Sequence, residues 1–194
     1  IEDQNCINEL LGRFNYQYEL IGEDECLARG KSLADSPMEF PHGTYKDFDR
    51  EDDKIFDRMK ERIRGYAMHS DTAIIFPLAI KEHIDHFIIR EAGIVVAKEL
   101  GDKMKASFYF IEDKPYGGLA NQEELDRIEN FIKENSLESR LFRYDPELMI
   151  ELAFRHYISQ VEEVYKEGVR SRANFWKDNM KVDHALDRIC LLKP

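Results

Sequence analysis

Apolar positions along the chain follow two periods, a helical one of three to four residues and a strand-like one of two or none, and these alternate. Glu2 to Gly12 places Cys6, Ile7, Leu10 and Leu11 on one helical stripe, with Gly12 at the C′ position. Tyr16 to Ile21 alternates, which predicts a strand ending at Gly22. Residues 22–47 mix Gly, Pro, Asp and Ser around Pro37, Pro41 and Gly43 with little period, and predict a long loop. The polar groups Glu23, Asp24, Arg29 and His42 of that loop are available to line a pocket. From Asp47 to about His69 the period is helical again, with Ile55, Phe56, Met59, Ile63 and Tyr66 on one face. Acids stand at its start and bases later, as the helix dipole favours.

Thr72 to Pro77 is a short continuous apolar run, the pattern of a strand buried on both faces. After it, Ile84, Phe87, Ile88, Ala92, Val95, Val96 and Leu100 form a helical face ended by Gly101. Ala106 to Ile111 predicts the next strand, with Glu112 to Gly118 as the loop beyond it. Asn121 and Glu124 have capping-box spacing and open a helix through Leu125, Ile128 and Ile132. Leu141 to Tyr144 predicts a last short strand. Asp145, Pro146 and Glu147 then supply an N-cap, an N1 proline and an acidic first turn for a helix to about Gly168.

Strands alternating with helices predict an α/β fold: a Rossmann-like three-layer sandwich with a mainly parallel sheet and helices on both faces. Residues 1–194 read as a single domain. Only four strands are counted, and the chain opens at Ile1 inside a helix, so the expectation is that a first βα unit is missing from this sequence.

Charge narrows the partners. With 28 basic and 39 acidic residues the net charge is −11 and the pI about 5.1, which argues against nucleic acid or an anionic membrane and for a small neutral or cationic molecule. Cys6, Cys26 and Cys190 are odd in number and lack C-x-x-C spacing, so neither a disulfide framework nor a zinc knuckle is predicted, and a reducing cytoplasm is the expected compartment. No apolar run reaches the roughly 18 residues of a membrane span, so membrane insertion is not expected. The sequence is compatible with a homo-oligomer without specifying one.

The candidate chemistry lies in Phe76 to Gly93, where a strand runs into His83, Asp85 and His86 and then a helix. Ligands gather past the C-terminal ends of strands in open α/β sheets. Imidazole and carboxylate are zinc ligands, and a catalytic zinc takes three protein ligands plus water, so this cluster cannot close a site alone. One histidine can bind metal while the other faces substrate, with Asp85 orienting an imidazole. Equally, these are polar residues at a helix N-terminus, with Asp85 acting as a cap.

Pro77-Leu78-Ala79-Ile80, His83-Ile84-Asp85-His86 and Arg90-Glu91-Ala92 resemble the second motif of the LmbE/PIG-L family of zinc-dependent N-acetylglucosaminyl deacetylases and related amidohydrolases. Glu2-Asp3 with Leu11-Gly12 is similar to that family's R-x-x-E-D…LG helix, Tyr109 to Tyr116 to its aromatic-x-x-E-D-x-P-Y turn, and Tyr157 to Gln160 to its Y-x-S-Q helix. The family's first motif, H-x-D-D or H-P-D-D, carries two of three zinc ligands and the general base; it is not among these residues and is expected upstream of Ile1.

The resemblance implies an enzyme that removes an N-acyl, typically acetyl, group from a small amino-sugar conjugate, with zinc or another divalent metal as cofactor. It implies His86 as the third zinc ligand, and His83 as the group that stabilises the oxyanion or protonates the leaving amine, supported by Asp85. Asp113, Tyr116 and Arg29 are candidate substrate contacts. Tyr157, Ser159 and Gln160 are expected to pack, and His42, His69, His156 and His184 to be ordinary surface or core residues. A non-catalytic carbohydrate-binding relative that lost the metal is the alternative. A metallophosphoesterase is disfavoured, because no Gly-rich loop or Arg clamp accompanies the histidines.

Overall fold

The computed structural model describes residues 2–13, 15–31, 48–159 and 161–192. His42, Pro37, Pro41, Gly43 and Gln160 lie outside them. Helix α1 (Glu2–Leu11) is followed by α2 (Arg50–Ala67), β1 (Ala73–Pro77), α3 (Ile84–Leu100), β2 (Ser107–Ile111), the single turn α4 (Tyr116–Leu119) and α5 (Gln122–Glu134). Then come β3 (Leu137–Arg143), α6 (Pro146–His156), α7 (Glu163–Met180) and β4 (Leu186–Leu192).

The sheet has the order β1-β2-β4-β3. The pair β1 and β2 is parallel, with Phe76 opposite Phe110, whereas β4 is antiparallel to both β2 and β3. The expected mainly parallel sheet is therefore corrected to one parallel pair and two antiparallel pairs. Strands β1, β2 and β3 do run the same way, but β4 enters between the last two in the opposite direction.

The three-layer expectation is corrected as well. The main core packs Ile55, Met59 and Ile63 of α2, Ile84 and Ile88 of α3, and Ile128 and Phe131 of α5 against Phe76, Phe108, Phe110 and Cys190 on one sheet face. On the other face Ile75 and Ile111 remain exposed. Close packing on the covered face leaves no space at Gly93, where an added Cβ would stand 2.9 Å from the Phe76 ring.

Local signals explain most elements. Asp49 caps α2 with a full capping box to Asp52, and Asn121 does the same for α5 with Glu124. Gly12 and Gly101 follow their helices with positive φ. Strand β4 is not announced by the sequence pattern, and three of the expected elements differ. The 16–21 stretch forms no strand; Tyr16 and Tyr18 instead anchor their hydroxyls on Asn8 and Asp3 of α1. The third strand begins at Leu137 rather than Leu141. The long helix expected from Pro146 breaks after His156, where Ser159 donates from its backbone and hydroxyl to the Glu2 carboxylate. Gly168 thus lies inside α7 rather than ending a helix. Among the described residues no helix is long and apolar enough to cross a membrane.

Candidate active site

The connector from β1 to α3 is under backbone strain. Ala79, Lys81 and Glu82 all have positive φ, at 54°, 66° and 52°, in the left-handed region that costs an L-residue about 1–2 kcal/mol. Surrounding bonds fix it. Arg90 donates to the Leu78 carbonyl at 2.9 Å, the Ile80 N–H donates to Asp113 Oδ2 at 2.9 Å, and Lys81 reaches the Glu124 carboxylate at 3.2 Å. Leu78, Ala79 and Ile80 are fully buried. At Ala79 the backbone conformation and the lack of space act together, so Ala79→Val is expected to cost about 2 kcal/mol or more, while Ala79→Gly stays within about 1 kcal/mol of the parent. Urea denaturation midpoints check this; equal costs for both variants would mean that conformation is not what selects alanine.

The strained connector delivers His83 as the N-cap of α3, its Nδ1 accepting the Asp85 N–H at 3.2 Å. That use of Nδ1 puts the ring proton on Nε2. Burial, and then the neighbouring His86, pull the His83 pKa down to about 4, so the ring is neutral at physiological pH. One helical turn on, His86 lies with its ring centroid 4.9 Å from that of His83 and 6.3 Å from that of Tyr116. Its Nδ1 stands 2.7 Å from Asp113 Oδ1, although the two are not aligned as a hydrogen bond and among the described residues Nδ1 has no other partner. A carboxylate oxygen that close to a ring nitrogen favours the tautomer with its proton on that nitrogen. Tyr116 is pushed up to about 12 by burial and then by Asp113.

The Asp85 carboxylate, within 4.8 Å of a His83 ring nitrogen, is held by partners from another segment. It accepts from the Cys26 N–H at 3.0 Å and from Arg29 at 2.7 Å. Arg29, nearly buried, also pairs with Asp52 at 3.0 Å. All six residues singled out from the sequence therefore fall in one region past the C-terminal ends of β1 and β2, in two groups: His83, His86, Asp113 and Tyr116, and behind them Asp85 with Arg29. Behind Asp85 is a cavity of about 350 Å³ floored by Leu20, Ile55, Met59 and Ile88; Arg29 and Asp85 line it, but neither imidazole does.

Cys26 was not indicated by the sequence, since no histidine or second cysteine stands near it along the chain. Its Sγ is 3.9 Å from His83 Nε2, and Cys26, His83 and Asp85 form a group whose donor atoms lie within 4.8 Å of one another. That group can hold a metal by distance, but it fits one poorly by chemistry. His83 has spent its lone pair on the cap, both Asp85 oxygens are engaged, and burial followed by Asp85 pushes the thiol up to about 11, away from the thiolate a metal needs. His86 fits better as a single ligand, because a carboxylate behind Nδ1 leaves Nε2 for a metal. Among the described residues no three-donor group includes His86.

No family model and no curated protein matches the chain. Among solved structures it is similar to the crystal structure of the A40926 pseudoaglycone deacetylase Dbv21, with 17% identity and a TM-score of 0.47 over 75% of this chain. The matched region spans 60% of that protein's length. A likeness at this level carries no chemistry over to the present chain.

Proposed function

We propose that the protein hydrolyses the N-acyl bond of a small amino-sugar conjugate, with zinc or another divalent ion as cofactor. The observation that carries this reading is the convergence of His83 and His86, with the Asp113 carboxylate behind His86, past the C-terminal ends of the parallel pair. The motif resemblance supports it independently.

His86 would hold the metal through Nε2. A divalent ion bound there would supply polarisation of the acyl carbonyl and a lowered pKa for water. Asp113 keeps the proton on His86 Nδ1. His83 offers a neutral Nε2–H as a fixed donor to charge developing on the acyl oxygen. The remaining ligands and the general base belong, by the resemblance, to a motif that these 194 residues do not contain.

The His83 and His86 roles separate under mutation. In the whole protein, His86→Ala is expected to lose bound zinc, whereas His83→Ala retains it and loses turnover by about 10²–10³-fold. Metal analysis beside an N-deacetylation assay reads both, and equal zinc content in the two variants refutes the division. A second reading, a sugar-binding relative without metal, is favoured by the spent donors around Cys26. Retained binding of N-acetylglucosamine without zinc or turnover would select it.

A further inference from the structure

Helix α7 carries none of the candidate site residues, yet it grips the segment that carries Asp113 and Tyr116 at two places. The first is electrostatic. Glu112, 2% exposed at the end of β2, accepts two 2.6 Å hydrogen bonds from the Arg172 fork, and Arg188 Nε lies 2.9 Å away. Arg172 and Arg188 both stack on the Trp176 ring, at 4.8 and 4.9 Å. The second is steric. An added Cβ at Gly118 of α4 would fall 1.9 Å from the Gly168 carbonyl oxygen, so two backbones meet with no side chain between them.

Between these anchors the chain has little freedom. Successive side chains of an extended segment point to opposite sides, and with Glu112 fixed toward α7, Asp113 is directed to Ile80 N–H and His86 Nδ1. A bidentate Arg–carboxylate pair fixes orientation as well as position, which a lysine cannot do.

We propose that Glu112 and Arg172 are positioning residues: their buried pair sets the direction of Asp113 and through it the proton and ring orientation of His86. This rests on the reading of His86 and Asp113 under the proposed function. The test uses the whole protein, dialysed against chelator, and records the ¹⁵N signals of the His86 ring. In the parent, Asp113 holds one protonated and one unprotonated nitrogen with well-separated signals.

Glu112→Gln and Arg172→Lys, both chosen to keep size or charge, are expected to draw those signals toward their mean, as Asp113→Asn does. His156, paired with Glu9 at the far α1–α6 contact, keeps its signals. Loss at His86 with His156 unchanged supports the proposal. An unchanged His86 in a folded clamp variant overturns it, as does failure of both variants to fold, which would make the pair structural only. A parent protein whose His86 already shows averaged signals removes the Asp113–His86 reading itself, a separate failure from loss of the clamp.

Discussion

Glu112→Ala is expected to cost about 3–5 kcal/mol of folding stability, because it leaves Arg172 and Arg188 buried without their shared counter-charge. Against a total of about 5–15 kcal/mol for a domain, that is enough to leave much of the protein unfolded at physiological temperature. The pair also has an acid signature. Burial alone would raise the Glu112 pKa above its ordinary 4.5, but the Arg172 hydrogen bonds and the charges of Arg172 and Arg188 overcome it and hold the carboxyl below that value. A carboxylate whose folded pKa is depressed binds its proton more readily when unfolded, so its contribution is complete above 4.5 and is lost as pH falls through the lowered value. Urea midpoints at pH 7 and at pH 3.5 check both parts. A loss below about 1 kcal/mol at pH 7 would place Glu112 among pairs that break even.

The same pair explains why part of the fold was hidden in the sequence. Strand β4 contains Asp187 and Arg188 beside Ile189, Cys190, Leu191 and Leu192, and the two charges spoil any strand pattern. Both are buried because partners come from elsewhere: Lys114 for Asp187, Glu112 and Glu129 for Arg188. Such pairing is tertiary and leaves no local trace. The missed strand then changed the sheet, since β4 alone turns a set of strands with a common direction into a mixed one. The break after His156 was hidden for a similar reason, as residues 147–167 contain no Gly or Pro and the Ser159–Glu2 bond spans nearly the whole chain. Conversely, the 16–21 stretch has a strand's alternation but, among the described residues, no strand pairs with it.

What was legible had local causes. The capping box at Asn121, the apolar runs of β1 and β2, and the glycines after α1 and α3 each act within a few residues. The His83–His86 knot was legible because its members are close in sequence, and Asp113 and Tyr116 because they follow a strand that neighbours β1. The sequence pointed to Asp85 as support for an imidazole; its backbone N–H donates to His83, while its carboxylate accepts from Cys26 and Arg29. That difference depends on the turn at 26–30, whose approach to α3 no periodicity announces.

Asp52→Ala is the second large effect expected, again about 3–5 kcal/mol. Asp52 is fully buried, closes the α2 capping box by accepting the Asp49 N–H at 2.9 Å, and carries ion pairs to Arg29 and Lys31. Its removal leaves Lys31 with Asp49 but Arg29 with Asp85 alone, and the cap contributes about 1 kcal/mol more. The double variant Asp52→Leu/Arg29→Met takes away both charges, and such apolar replacement is often neutral or stabilising. A thermodynamic cycle built from Asp52→Leu, Arg29→Met and the double variant is therefore expected to return a coupling of about 1–3 kcal/mol. That coupling also decides what Arg29 is for. A guanidinium whose energy is spent on Asp52 and Asp85 has little left for a substrate anion, so strong coupling makes it the peg that holds the 26–30 turn against α2 and α3. Weak coupling, with Arg29→Met stable but impaired in substrate binding, would return it to the substrate side.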